Sequence, residues 1–185
     1  MPLREVLQFP DSRLKRKSAP VGEITDEIRA LARDMIEVMY DEPGIGLAAP
    51  QVGEAIRLVV MDTTWNEEGG EKNPRVMLNP EIVEREGTLT WTEGCLSVPD
   101  FQADVERSER VVVRYLDLDG NPQQEDASEL RAVCFQHEID HLDGVLFIDR
   151  ISRLKRSLYV QRRKKALERE REEGGEPAAK SGSVL

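Results

Sequence analysis

The stretch HEIDH, residues 137 to 141, holds the only two histidines of a 185-residue sequence. On a helix, residues i and i+4 lie on one face, with Cβ atoms about 6 Å apart. His137 and His141 could therefore grip one divalent metal. In sites of this pattern the acid after the first histidine, here Glu138, does not bind the metal; it reaches the activated water as general base. The plainer alternative is two histidines four apart by chance, serving as core or surface residues. Leu130, Val133 and Cys134 share the apolar face with the pair. The histidines should then face inward, where buried polar groups need partners, and a metal is one.

Two histidines underbind a metal, since a catalytic site of this kind uses three protein ligands and one open position. The sequence offers Cys95 and Cys134. Cys134 lies seven residues before His141, about 10.5 Å along a helix axis at about 1.5 Å per residue. One ion is not easily held across that span, so Cys134 reads as a small buried apolar residue. Cys95 sits in EGCLSVP (93 to 99), between two expected strands, where Gly94 permits close backbone approach. The residues alone leave Cys95 open between a third ligand and a structural cysteine.

These side chains need elements to position them. SELRAVCFQHEIDHLDG (128 to 144) reads as a helix that Ser128 could cap and Gly144 end. TDEIRALARDMIEVMYD (25 to 41) reads as an amphipathic helix capped by Thr25 and ended by Pro43 and Gly44. Residues 11 to 18 read as a short helical turn. RLVVMD (57 to 62) and GTLTW (87 to 91) read as strands, and RVMLNPEIVE (75 to 84) as a strand interrupted by Pro80. WNEEGGEKNP (65 to 74) reads as a polar loop. RVVVRYLDLDGNPQQ (110 to 124) reads as a hairpin whose Asp119-Gly120 supplies the positive φ angles of a tight primed turn. A long charged helix is expected over about 152 to 172, and a disordered tail over 174 to 185. Helix, several strands, helix, helix points to an α+β fold, with one domain over residues 1 to 173.

The totals exclude several classes. No apolar run is long enough to span a membrane. The N-terminus lacks an apolar stretch and a cleavage site, so no secretory signal is expected. Two cysteines outside any CxxC do not make a disulfide framework. A cytoplasmic address follows. A net charge of −10 argues against a general DNA binder. Yet RLKRSLYVQRRKK (153 to 165) holds seven Lys or Arg and no acid, which leaves −17 on the rest. This stripe is either a solvated helix face or a contact for phosphate-rich RNA.

Three segments in order, GIGLAAPQVG (44 to 53), EGCLSVP (93 to 99) and QHEIDHLDG (136 to 144), resemble the signature motifs of peptide deformylases. The short EGCLSVP segment and the long C-terminal helix resemble the bacterial type 1 branch. The resemblance extends to about residue 165. It implies antiparallel or mixed β-sheets around a central metal-binding HExxH helix, with N-terminal helices and a long C-terminal helix. It implies removal of the formyl group from formyl-methionyl nascent polypeptides, with release of formate. By motif position, Cys95, His137 and His141 match the metal ligands and Glu138 the general acid/base. The Gln51 amide and the Leu96 N–H match the groups that hold the developing oxyanion. Gly44, Ile45 and Gly46 match the platform for the substrate backbone. Ile45, Leu130, Val133 and Cys134 match the lining of the methionine pocket, which Trp91 either borders or ignores as a core or surface aromatic. The family's metal is usually Fe²⁺, with Zn²⁺ and Ni²⁺ forms. In some bacterial relatives the C-terminal helix docks on the ribosome.

The sequence departs from some relatives at Gln102, where they carry Arg, and at Thr92, where they carry an acid. Glu93 and Arg107 could pair near Cys95. Two rivals remain in view: a zincin-type peptidase, for which the downstream histidine is missing, and a ribosome-binding factor with a closed structural metal site.

Overall fold

The structure, a computed structural model, describes residues 4–172. The expected tail lies outside the described residues. A 3₁₀ turn at Ser12–Lys15 leads to helix α1 (Asp26–Asp41). The Thr25 hydroxyl accepts from the Ile28 N–H, and Asp26 and Glu27 lie at the positive end of the helix dipole. Leu31, Ala32, Met35, Val38 and Met39 form its buried stripe. Pro43 cannot continue the helix, and the Gly44 N–H folds back to the Met39 carbonyl at 2.8 Å.

Strands β1 (Gly46–Ala48), β2 (Leu58–Met61), β3 (Arg75–Glu86), β6 (Arg110–Leu116) and β7 (Pro122–Ser128) form an antiparallel sheet in the order β1-β2-β3-β6-β7. Strands β4 (Leu89–Cys95) and β5 (Val98–Arg107) form a separate antiparallel pair. Helix α2 (Glu129–Leu142) and helix α3 (Arg153–Glu172) follow. Alternation along β2 explains the layers. Val59 and Met61 pack with Ala132, Cys134, Phe135 and Ile139 of α2, whereas Leu58 and Val60 pack with the stripe of α1. The five-stranded sheet is thus covered by α2 on one face and α1 on the other. A third cluster joins Cys95, Val98, Ala103 and Val105 of the strand pair to Phe147 and to Tyr159 of α3.

Three local expectations are corrected. Pro80 does not interrupt β3; Asn79 takes a φ of 53° and the register shifts between Leu78 and Glu81, so a bulge absorbs the proline. In the β6–β7 hairpin only Gly120 has positive φ. The Asp117 carboxylate accepts from the Asp119 and Asn121 N–H groups and builds a longer loop than a primed turn. Ser128 occupies the N-cap of α2 but makes no side-chain cap bond. Glu129 there has a φ of 51°, and its N–H goes to the Glu109 carbonyl instead. Gly144, at φ 74°, does end the helix; a Cβ there would stand 2.8 Å from the Lys15 carbonyl carbon.

Candidate metal centre

Every side chain of α2 from Ala132 to Leu142 is buried, so both histidines point into the molecule. The Cys95 Sγ and His141 Nε2 lie 3.3 Å apart, as do His141 Nε2 and His137 Nε2. The three donor atoms all lie within 4.8 Å of one another. Metal–N bonds of about 2.0–2.1 Å at tetrahedral angles place two nitrogens about 3.4 Å apart. The spacing therefore suits one ion, and the Cys/His/His donor set suits a borderline or soft one. Among the described residues this is the group of His, Cys, Asp and Glu able to hold a metal, and it supplies three donors. That is the pattern of a site with an open position rather than a closed structural one.

The ligands are held from behind. His137 Nδ1–H donates to Glu93 Oε2 at 2.9 Å, which turns Nε2 toward the other donors. Glu93, on β4, is fully buried and takes a two-pronged contact from Arg107 of β5, at 2.6 and 2.9 Å. Arg107 also donates to Asp140 Oδ2 at 2.6 Å, and Arg150 clamps the same carboxylate. Burial pushes the Glu93 carboxyl up, but Arg107 and His137 outweigh it and bring it to about 2. Burial pushes His141 well below its ordinary value, so its ring is neutral and can donate a lone pair.

Glu138 sits beside the triad. Its Oε2 is buried with no hydrogen-bond partner among the described residues. A Cβ on Gly46 would stand 2.9 Å from its carboxyl carbon, so the glycine lets the carboxylate lie against β1. Burial is the main reason its pKa rises from 4.5 to about 7. A buried carboxyl with one unpartnered oxygen, poised near neutrality, can move a proton.

Gln51 comes from a 3₁₀ turn, Ala49–Val52, that directly follows β1. Its Oε1 accepts from the Ala48 N–H at 2.8 Å, so its NH₂ faces the site. That nitrogen stands 3.1 Å from Ser97 Oγ and 3.7 Å from Cys95 Sγ. Leu96 follows Cys95, and a Cβ on Gly44 would stand 3.2 Å from its Cδ1. Val133 and Cys134 are fully buried on α2. The Cys134 Sγ lies 3.9 Å from the Ile45 carbonyl, and burial holds it as a neutral thiol. Ile45 and Cys134 share one apolar cluster, and Leu130 packs against it.

The tryptophan packed against this cluster is Trp65, whose segment reads in sequence as a polar loop. Trp91 lies on β4 opposite Val105, partly exposed. Sequence reasoning also passed over Ser97, Asp140 and Arg150. Ser97 and Asp140 stand inside the quoted motifs, but nothing local marks what they touch.

Residues 3–157 match the family model for polypeptide deformylase. A peptide deformylase of Rhodopseudomonas palustris strain BisB5 is 54% identical over 170 residues, covering 91% of this chain and 97% of that relative. One from Hyphomonas neptunium is 55% identical over 168 residues, covering 90% and 94%. Among solved structures, a peptide deformylase from Legionella pneumophila superposes with a TM-score of 0.83 at 41% identity, covering 95% of this chain and 99% of that one. One from Synechococcus elongatus in complex with actinonin gives 0.82 at 41% identity, with 89% of each chain covered.

Proposed function

Given that the chain belongs to the polypeptide deformylase family, we propose a residue-by-residue account of how it removes the N-formyl group of nascent polypeptides. The family reaction is a metal-dependent hydrolysis of the formyl amide. Cys95, His137 and His141 are the ligands of this account. A divalent ion held there supplies Lewis acidity, activating water and polarising the formyl carbonyl. Glu138 takes the proton of the attacking water and hands it to the nitrogen of the departing amine. The C–N bond breaks, and formate and a free N-terminus leave. As the formyl oxygen gains charge, the Gln51 NH₂ and the Leu96 N–H donate to it from fixed positions. Gly44, Ile45 and Gly46 carry the peptide backbone. Ile45, Leu130, Val133 and Cys134 line the slot for methionine, whose unbranched thioether suits an apolar cavity.

The observation that carries this reading is the Cys95–His137–His141 triangle together with the buried Glu138 carboxyl, whose Oε2 has no partner among the described residues. A thiolate cancels one of the two charges of the ion and is soft, which suits Fe²⁺, Zn²⁺ or Ni²⁺ over Mg²⁺; the family resemblance makes Fe²⁺ our choice for the cell. We place the reaction in the cytoplasm, where formyl-methionyl chains emerge. The basic residues of 153 to 165 are our candidate for contact with the ribosome. No helix among the described residues is long and apolar enough to cross a membrane.

The deciding experiment is formate release from a formyl-methionine tripeptide by anaerobically purified protein of known iron and zinc content. Release in proportion to bound metal is expected, with iron-loaded protein losing activity in air. No release from fully metallated protein would falsify the reading.

A further inference from the structure

The loop between β2 and β3 is tied down more firmly than its composition suggests. Asp62 is its peg: the carboxylate accepts from Tyr40 Oη at 2.7 Å, from the Thr64 N–H at 3.2 Å and from the Asn73 N–H at 2.7 Å. Tyr40 meets Trp65 edge-on, with ring centroids 5.2 Å apart at 81°. Lys72 lies over the Tyr40 ring, 4.4 Å from its centroid. Held this way, the Trp65 indole N–H donates to the Gly44 carbonyl at 3.0 Å. Its ring packs against the cluster that contains Ile45 and Cys134, as does Leu130. It is nevertheless only partly buried.

A trans peptide is planar, so fixing the Gly44 carbonyl also fixes the direction of the Ile45 N–H. We propose that Trp65 is a positioning and specificity residue for the formylated peptide: it holds the Gly44–Ile45 peptide unit and forms one wall of the slot for the first side chain. This rests on the function proposed above. A rigid aromatic on a pegged loop loses little entropy on closing such a slot, and an apolar first residue gains contact area against its exposed face.

The test uses metal-loaded full chain and two peptides that differ only in the first residue, formyl-Met-Ala-Ser and formyl-Ala-Ala-Ser. Trp65→Phe keeps a ring beside Tyr40 and removes the donor. It should raise KM about 3- to 10-fold for both peptides with kcat within about twofold, the scale of one lost hydrogen bond acting in binding. Trp65→Ala should in addition narrow the Met-over-Ala ratio of kcat/KM at least about threefold. Both variants keeping the wild-type KM and ratio, even with lower melting temperatures, would reduce Trp65 to a loop clamp and overturn the proposal. If Trp65→Ala does not fold, the KM of Trp65→Phe decides alone. A metal-loaded wild type that releases no formate from either peptide fails the functional reading instead, and is seen before any variant is made.

Discussion

At the residue scale, Glu138 has two separable consequences. Glu138→Gln keeps the shape and removes the proton carrier. Formate release should fall about 10²- to 10⁴-fold, while metal analysis finds the site still filled. The second consequence concerns stability without metal. The folded pKa is raised from 4.5 to about 7, so the folded protein binds a proton that the unfolded chain has released. Stability from that proton is complete below about pH 4.5 and disappears as pH rises through about 7, a loss on the order of 3 kcal/mol. Metal-free Glu138→Gln should therefore melt above metal-free wild type at pH 8, with the gap closing toward pH 4.5. Equal melting curves at pH 8 would mean that the carboxylate is better solvated than its burial implies. The two cysteines separate just as clearly. Cys95→Ser replaces a soft thiolate at the triangle and should lose bound metal. Cys134→Ser touches the Ile45 carbonyl and the apolar cluster, so metal content should be unchanged. The reverse result would overturn the ligand assignment.

At the scale of elements, the site is a joint between α2 and the β4–β5 pair, and Arg107 is its pin. It reaches Glu93 on its neighbouring strand and Asp140 on the helix, all three buried at 9% exposure or less. Arg107→Met would leave Glu93 buried without its guanidinium and Asp140 with Arg150 alone, a change of the kind that typically costs about 3–5 kcal/mol. Denaturant melts at pH 7 should show that loss. The acid limb should shift as well. Glu93 now sits at about 2 against an ordinary 4.5, so its contribution is present above 4.5 and disappears only as pH falls toward 2. Without Arg107 the acid transition should begin at higher pH. This joint also marks the limit of what sequence conveys. His137, Glu138 and His141 were legible because helical spacing alone brings them together. Cys95 stood open until the fold brought it onto α2 across the 41 residues that separate it from His137. Pairing of Glu93 with Arg107 could be suspected because the two strands are adjacent. Asp140 could not, since an acid on a helix usually faces water. Ser128 and Asp119-Gly120 were misread for a shared reason: cap and turn rules describe isolated termini, whereas Glu129 is bound to the Glu109 carbonyl and Asp117 organises its own loop. Trp65 was hidden by the polarity of its neighbours.

At the scale of the whole molecule, charge is segregated. The stripe of seven basic residues on α3 sets itself against −17 elsewhere. Three of the seven work inside the fold: Arg156 pairs with Asp149, Arg162 donates to the Asp100 carbonyl, and Arg163 bonds the Phe9 carbonyl and Gln8. Arg153, Lys155, Lys164 and Lys165 are exposed and form no ion pair among the described residues. Leu154 and Leu158 are also exposed, at 70% and 58%. Four residues apart, the two leucines lie one turn from each other on the same side of the helix. The four exposed basic residues are our candidate for contact with an RNA-rich surface, with Leu154 and Leu158 as its apolar foothold. Ribosome binding should then fall steeply between about 50 and 200 mM salt. Lys155→Glu with Lys164→Glu and Lys165→Glu should weaken it and lower the log–log salt slope by about two to three, one increment per phosphate contact. Hydrolysis of a free tripeptide should be untouched, because none of these lysines belongs to the catalytic joint. Binding that ignores salt but is lost in Leu154→Ser with Leu158→Ser would make the contact apolar rather than electrostatic. No binding at low salt would return α3 to a solvated face and leave the hydrolase unaltered.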